Sequence, residues 1–302
     1  MFTMPRPFGT LAFLTAWLVP WQPVFCVRAG ASNLAFFVHR RDTIGRHIAK
    51  YGTHEPLVTH WLAQYLATAR PGIVVDVGAN VGWHALHAAQ HRNVEAVIAF
   101  EPDPLNVAMM ERSIARNGIK KVIVDRRAVG AKPGVARLYN YKGSNRGRHS
   151  MAVDHGFGSR DIEVTDLDSA LEARTFGSRP VALIKIDVEG YEPAVIVGAS
   201  RTLARTDAII LEYSPQLSRA GGHSTGAMIA QLYDAGFTPF AMRNNGDMVR
   251  VERDDFRDFE AEGAVDLIWL KNEIARNIPG ADRGGMTLYQ IAVQNKDLVK
   301  AL

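Results

Sequence analysis

The run Ile73-Val74-Val75-Asp76-Val77, followed at once by Gly78-Ala79-Asn80-Val81-Gly82, leaves the fold few options. Five residues rich in β-branched side chains predict a buried strand, and two glycines four apart predict a tight turn into a helix. A second buried strand, Ala96–Phe100, ends on Glu101. Strand, glycine turn, helix, strand and terminal acid, in that order, open a doubly wound α/β sheet. Glu101 follows Gly82 at about the spacing that brings a carboxylate to a nucleotide ribose. The chain is therefore expected to bind a nucleoside-containing cofactor.

The alternation continues down the chain. Helix two is expected from about Pro104 to Arg116, closed by Asn117-Gly118, and strand three over Val122–Arg127. Strand four is Val181–Asp187, strand five Ala208–Tyr213, and Val265–Leu270 a last strand. Thr225–Ala235 reads as a helix, and Phe237–Met242 with Met248–Val251 as a hairpin around Asn244-Asn245-Gly246. Such alternation means crossover units and a parallel sheet. Upstream, Leu57, Trp61, Leu62, Tyr65 and Leu66 recur at helical spacing, and the pattern from about Asn33 to Ala69 is read as helical. After a strand at Val135–Tyr141, residues 142–160 are rich in Gly, Ser, Arg and His and read as a functional loop. A strand near Ile162–Val164 is expected to lead back into the sheet.

Composition excludes several function classes. A net charge of +4 over 302 residues, with no dense Lys/Arg stripe interleaved with aromatics, falls short of a nucleic-acid binder. The single Cys26 rules out an internal disulfide framework and a multi-cysteine metal site. The apolar run Leu11–Val19 is short and broken by Pro20 and Pro23, so it does not predict a membrane span. Residues 8–27 are expected to pack on the domain or touch a membrane surface, ahead of a signal-peptide reading, and the chain is expected to be cytoplasmic.

The glycine turn narrows the cofactor. A dinucleotide fold calls for Gly-x-Gly-x-x-Gly, and Asn80 stands where the middle glycine would fall. An amide that donates and accepts suits a zwitterionic amino-acid tail better than a diphosphate, and Asp76 is an anion suited to an ammonium group. Gly78 and Gly82 are read as allowing the backbone to approach a ligand closely. Glu101 is read as the ribose acid. For Asp103 and Asn106, ligand contact and helix capping weigh equally, and Asp103 is placed with the cofactor set.

Together these residues resemble class I S-adenosylmethionine-dependent methyltransferases, and more narrowly the FkbM family. The likeness spans about Thr53 to Leu270, and its pieces recur in order. They are Asp76–His84, Ala99–Pro104 with Asn106 and Asn117, Ala128, Leu167-Asp168, Ile184–Gly190 with Glu192, Gly198-Ala199 and Leu211-Glu212. The resemblance implies a Rossmann-like, mostly parallel seven-stranded sheet ordered 3-2-1-4-5-7-6 with strand seven antiparallel. It implies methylation of a hydroxyl on a sugar, glycolipid or secondary-metabolite acceptor. By position it assigns Asp76, Gly78, Asn80, Gly82, Glu101 and Ala128 to the donor pocket. Residues 1–32 are then an apolar segment without an assigned role. Residues 33–275 form the methyltransferase domain with a helical N-terminal cap, and residues 276–302 a helical tail.

An alcohol is a weak nucleophile, so its proton must be removed near the transition state. Asp187 and Glu189 are expected to remove that proton or position the acceptor, with Lys185, two residues earlier on the same strand face, orienting them. Lys185 in a salt bridge beside helix-start acids is the structural alternative. His84, His149 and His155 are lesser candidate bases. Asp187 with Glu212 offers oxygen ligands for a divalent cation, but no metal is assigned. Arg146 and Arg148 are expected to meet an anionic group of the acceptor. His54-Glu55 and His60 imitate a zinc-protease helix, but Pro56 interrupts and the spacing is wrong. The rival functions are a nicotinamide oxidoreductase and a non-catalytic methyltransferase-fold interaction protein. A nucleic-acid methyltransferase is disfavoured because Asp-Val-Glu-Gly stands where a base-flipping Asn/Asp-Pro-Pro-Tyr loop belongs.

Overall fold

A computed structural model describes residues 24–143, 145–259, 264–278 and 287–300. The run Leu11–Val19 lies outside them. The chain begins with β1 (Val24–Arg28) and β2 (Ala35–His39), then α1 (Thr43–Tyr51) and α2 (Pro56–Thr68). The alternating body follows as β3 (Gly72–Val77), α3 (Trp83–Ala88), β4 (Val94–Phe100), α4 (Pro104–Asn117) and β5 (Val122–Asp125). Next come β6 (Ala128–Val129), β7 (Gly134–Tyr139), a 3₁₀ turn at Arg146–Arg148, β8 (Ser159–Thr165) and α5 (Leu167–Glu172). The second half holds β9 (Val181–Ile186), α6 (Glu192–Val197), α7 (Ser200–Ala204), β10 (Thr206–Tyr213), α8 (Pro215–Ala220), α9 (Thr225–Asp234), β11 (Phe237–Met242) and β12 (Met248–Arg250). It closes with α10 (Asp255–Asp258), β13 (Val265–Lys271), α11 (Asn272–Ala275) and α12 (Leu288–Lys300).

The main sheet runs β12-β11-β13-β10-β9-β3-β4-β5, parallel from β10 to β5, with β13 antiparallel to both its neighbours. It has eight strands where seven were expected, because the second arm of the hairpin, β12, pairs antiparallel with β11 and extends the edge. Alternation along β3 feeds two cores. Ile73, Val75 and Val77 pack with Leu171, Val195 and Leu232 on one face. Val74 packs with Leu62, Leu86 and Met110 on the other. Leu288, Ile291 and Ala292 of α12 join the first of these cores.

Two expectations need correction. Residues 35–39 form a strand, not the start of a helix. Phe36 and Val38 are fully buried while Phe37 and His39 are half-buried, the period of two that a strand dictates. One edge of β2 pairs with β1. Helix side chains satisfy the other. The Ala35 amide donates to Asn117 Oδ1 at 2.9 Å, the Phe37 amide to Ser113 Oγ at 2.9 Å, and Asn117 Nδ2 to the Ala35 carbonyl at 2.7 Å. Secondly, the strand at residues 159–165 does not enter the main sheet. It pairs with β6 and β7 in a separate three-stranded sheet, and Arg146, Gly147, His149 and Met151 from its β7–β8 connection line one pocket with Val77, Phe100 and Asp187 at the ends of β3, β4 and β9.

Candidate active site

Between Val77 and Trp83 the backbone is left-handed three times, at Gly78 (φ 83°), Asn80 (φ 50°) and Gly82 (φ 82°). Neither glycine makes room for a ligand. A Cβ on Gly78 would strike the carbonyl of Asp187, and one on Gly82 would lie 2.7 Å from Met110 and 2.8 Å from Leu86. Both are glycine because the turn is pressed against the residue that follows β9 and against side chains of α3 and α4. Four of the turn's five amides are also spoken for. Those of Gly78 and Ala79 donate to the Phe100 carbonyl at 3.0 Å, that of Asn80 to Glu101 Oε2 at 2.8 Å, and that of Gly82 to the Ala79 carbonyl at 2.8 Å. A pyrophosphate needs such amides free, so this turn is not built for a dinucleotide.

Glu101 closes β4 and is buried, its second oxygen accepting from the Asp103 amide at 2.8 Å. Burial raises its pKa to about 7 against the pull of these backbone donors. Glu101 lines a narrow slot with Asn106, Ala128 and Val188, walled by Phe100, Leu138 and Met151. Asn106 is 2% exposed, and its Oδ1 has no partner. Beside the slot lies a cavity of about 640 Å³. Slot and cavity share four residues: Gly78, Asn80, Gly147 and Asp187.

Of the expected donor residues, Gly78, Asn80, Glu101 and Ala128 line the slot, whereas Asp76, Gly82 and Asp103 support it from behind. Asp103 caps α4, accepting from the Leu105 and Asn106 amides at 2.9 Å. Its other oxygen pairs with Arg160 at 2.7 Å and Arg146 at 3.5 Å, anchoring the 142–160 segment over the slot. Arg146 therefore lines the slot, while Arg148 reaches the cavity and pairs with Glu189 at 3.5 Å. Asp76 is 2% exposed beside Lys185. The amide of Ala85 faces it, yet neither carboxylate oxygen completes a hydrogen bond, and burial raises its pKa to about 6.

The cavity wall carries the expected chemistry and some that sequence reasoning missed. Lys185, Asp187, Glu189 and Glu212 all line it. Lys185 is 3% exposed and donates to Asp187 Oδ2 at 2.8 Å. Burial would lower its pKa, but Asp187, Glu55 and Asp76 hold it well above the ordinary value. Burial, then Asp187, raises Glu189 to about 7. Glu192 points elsewhere, with Oε1 accepting from the Val188 and Gly190 amides at 3.1 Å and stapling the turn before α6. Oxygens of Asp187, Glu189 and Glu212 approach within 4.8 Å of one another, but acidic groups gather in this way without an ion, and no metal is assigned. The missed residue is Glu55. It accepts from His84 Nε2 at 2.7 Å, meets His54 at 3.2 Å and stands 3.9 Å from Lys185. Nothing in the sequence distinguishes it from an ordinary acid preceding a helix.

Among the described residues five non-glycines have positive φ, and three of them (Glu55, Asn80 and Glu189) line this cavity. Left-handed backbone costs such residues about 1–3 kcal/mol each, and strain of this kind gathers where function demands it.

The raised carboxyls give a measurable pH signature. Burial lifts Glu101, Glu189 and Asp266 to about 7 and Glu192 to about 8. In the unfolded chain all four lose their protons near pH 4. Between roughly pH 6.5 and 8.5 the native state therefore holds protons that the unfolded state does not, and stability falls as pH rises. Buried histidines such as His84, lowered to about 4 by burial, are neutral in both states across most of this window and do not offset the trend. Urea midpoints at constant ionic strength should be lower at the alkaline end, and a flat or rising profile would contradict these shifts.

A mostly parallel sheet with a buried acid at the carboxyl end of its second body strand, and a slot opening into a larger cavity there, is the arrangement of doubly wound α/β proteins that bind nucleoside-containing ligands. Residues 76–239, more than half of the chain, match the methyltransferase FkbM domain, and the chain belongs to that family. S-adenosylmethionine is the family's methyl donor. The chain is similar to 2-O-methyltransferase NoeI of Sinorhizobium fredii, with 28% identity over 157 residues, 48% of this chain and 64% of that protein. It is equally similar to 31-O-demethyl-FK506 methyltransferase FkbM of Streptomyces tacrolimicus, 28% identical over 43% of this chain and 60% of that protein. The chain thus spans under two thirds of the length of either relative. Among solved structures, a putative tRNA (m1A22) methyltransferase of Streptococcus pneumoniae with bound S-adenosyl-L-methionine shows 12% identity and a TM-score of 0.41, covering 81% of this chain and 97% of that one. No helix among the described residues is long and apolar enough to cross a membrane.

Proposed function

We propose that this chain transfers a methyl group from S-adenosylmethionine to a hydroxyl oxygen of a small-molecule or glycan acceptor. One observation carries the reading. The slot floored by Glu101 and the cavity lined by Lys185, Asp187 and Glu189 meet at Gly78, Asn80, Gly147 and Asp187. A donor with its nucleoside in the slot and an acceptor in the cavity would face each other at that junction. Both curated relatives carry names that describe methylation at oxygen. The slot's chemistry fits the donor: a carboxylate for ribose hydroxyls, the unpartnered Oδ1 of Asn106 and an apolar wall for a flat base.

When bound, the donor supplies a methyl already activated on a positively charged sulfur. The chain's residues must hold the acceptor and take its proton. Asp187 is committed to Lys185 at 2.8 Å and orients the site. Glu189, with a pKa near 7, is matched to removing a hydroxyl proton at neutral pH. The rings of His47, Tyr51, His54 and Trp83 form the facing wall, which suits a hydroxylated acceptor with apolar C–H faces.

The donor half is tested by calorimetry with S-adenosylhomocysteine. Each hydrogen bond to the Glu101 carboxylate is worth about 1.5–3 kcal/mol, so Glu101→Ala should weaken binding by at least about tenfold. Ribose hydroxyls favour the ionised acid, so wild-type affinity should rise with pH through about 7 and then level off. Tight binding of a pyridine dinucleotide with no heat from S-adenosylhomocysteine would overturn the reading. The acceptor half is tested by incubating the small-molecule fraction of a lysate with methyl-tritiated donor and identifying the labelled product.

A further inference from the structure

We propose that Glu55 is a positioning residue of the transfer site, holding Lys185 beside Asp187 and fixing the ring of His84. The inference rests on the reading that Asp187 and Glu189 flank the reacting oxygen, and it adds a residue outside the segment 76–239 that matches the family.

Glu55 precedes Pro56 at the start of the thirteen-residue helix α2, where an acid would ordinarily turn its carboxylate onto the first free amides. It does not. Glu55 makes no side-chain cap, and its backbone is left-handed at φ 44°. Two local preferences are thus given up together, the cap and the regular backbone, and one outcome accounts for both. The carboxylate is carried into the cavity, where Oε2 accepts from His84 Nε2 at 2.7 Å and Oε1 meets His54 Nε2 at 3.2 Å. Oε2 also stands 3.9 Å from Lys185 Nζ, which donates to Asp187 Oδ2 at 2.8 Å. One buried ammonium is shared between two carboxylates from distant parts of the chain, and the second of them lies at the junction of slot and cavity. Without Glu55, no ion pair among the described residues ties the ammonium to the α2 side, and it is left to Asp187 and Asp76. His84 likewise loses the partner that selects its Nε2–H tautomer.

The test uses the full chain and three variants. Glu55→Gln keeps the shape and removes the charge. Glu55→Asp keeps the charge on a shorter arm. Glu55→Gly suits the left-handed backbone, so it preserves the fold while removing the carboxylate. Nitrogen-15 spectra of the histidine rings and lysine ammonium groups should show His84 as a single Nε2–H tautomer and a slowly exchanging Lys185 ammonium in wild type. Both signatures should be lost in Gln and Gly variants that remain folded by circular dichroism, and regained in part by Asp. S-adenosylhomocysteine affinity should stay within about twofold of wild type, since no slot residue has changed. Transfer of label from methyl-tritiated donor to the lysate small-molecule fraction should fall at least about tenfold in Glu55→Gln. Wild-type spectra or undiminished labelling in that variant would overturn the proposal. A wild-type chain that labels nothing and binds no S-adenosylhomocysteine would sink the methyl-transfer reading instead, and the spectra would still decide whether Glu55 holds this array.

Discussion

Lys185→Met is expected to destabilise the protein by about 3–5 kcal/mol, far more than the loss of one hydrogen bond. Methionine fills similar space, so the effect isolates the charge. Lys185 is 3% exposed and offsets the charges of Asp76, Asp187 and Glu55 from near the carboxyl end of β9. Removing it leaves Asp76, 2% exposed and without a completed hydrogen bond, as an uncompensated buried anion. Asp76 already sits at about 6 because burial opposes its charge, and without the ammonium it will rise further. The variant's deficit should therefore be larger at pH 8 than at pH 5, where Asp76 holds a proton in the folded state. Urea unfolding at the two pH values measures both quantities. A loss under about 1 kcal/mol would mean that the ammonium is not what balances these acids.

Glu189→Gln is expected to lower kcat by about 10²–10⁴-fold while leaving S-adenosylhomocysteine affinity near wild type. Glutamine preserves the shape but cannot take a proton at neutral pH. In the wild type, kcat/KM should rise with pH through about 7 as Glu189 ionises, and the variant's residual rate should lose that rise. Asp187→Asn is the informative contrast. If Asp187 only orients, its loss should misplace the acceptor yet keep the pH dependence. A pH limb that survives Glu189→Gln and vanishes in Asp187→Asn would exchange the two roles.

The alternating strands, the glycine turn and Glu101 were legible because each is local. Residues 73–77 form a strand by their own β-branched side chains, and an acid at a parallel strand's carboxyl end must sit at the sheet's binding edge. The importance of Gly78 and Gly82 was legible too, but not its reason. Their φ values follow from the turn, whereas the contacts that forbid a Cβ come from Asp187, Leu86 and Met110. The helical reading failed at residues 35–39 because a short alternating run beside a genuine helix is ambiguous until its pairing partner is known. Here the partners are β1 and the side chains of Ser113 and Asn117, some eighty residues away.

Sequence by itself determined the parallel body of the sheet, the acid at the end of its second strand and the family, since each is carried by short local motifs recurring in order. Only tertiary structure decided how the charges divide their work. Asp103 and Glu101 lie two positions apart, yet one caps a helix beneath three basic side chains while the other faces the slot. Glu55 reads as an ordinary helix-start acid until Lys185 is seen 3.9 Å away. Burial and distance set what a carboxylate does, and neither is written in its neighbours along the chain.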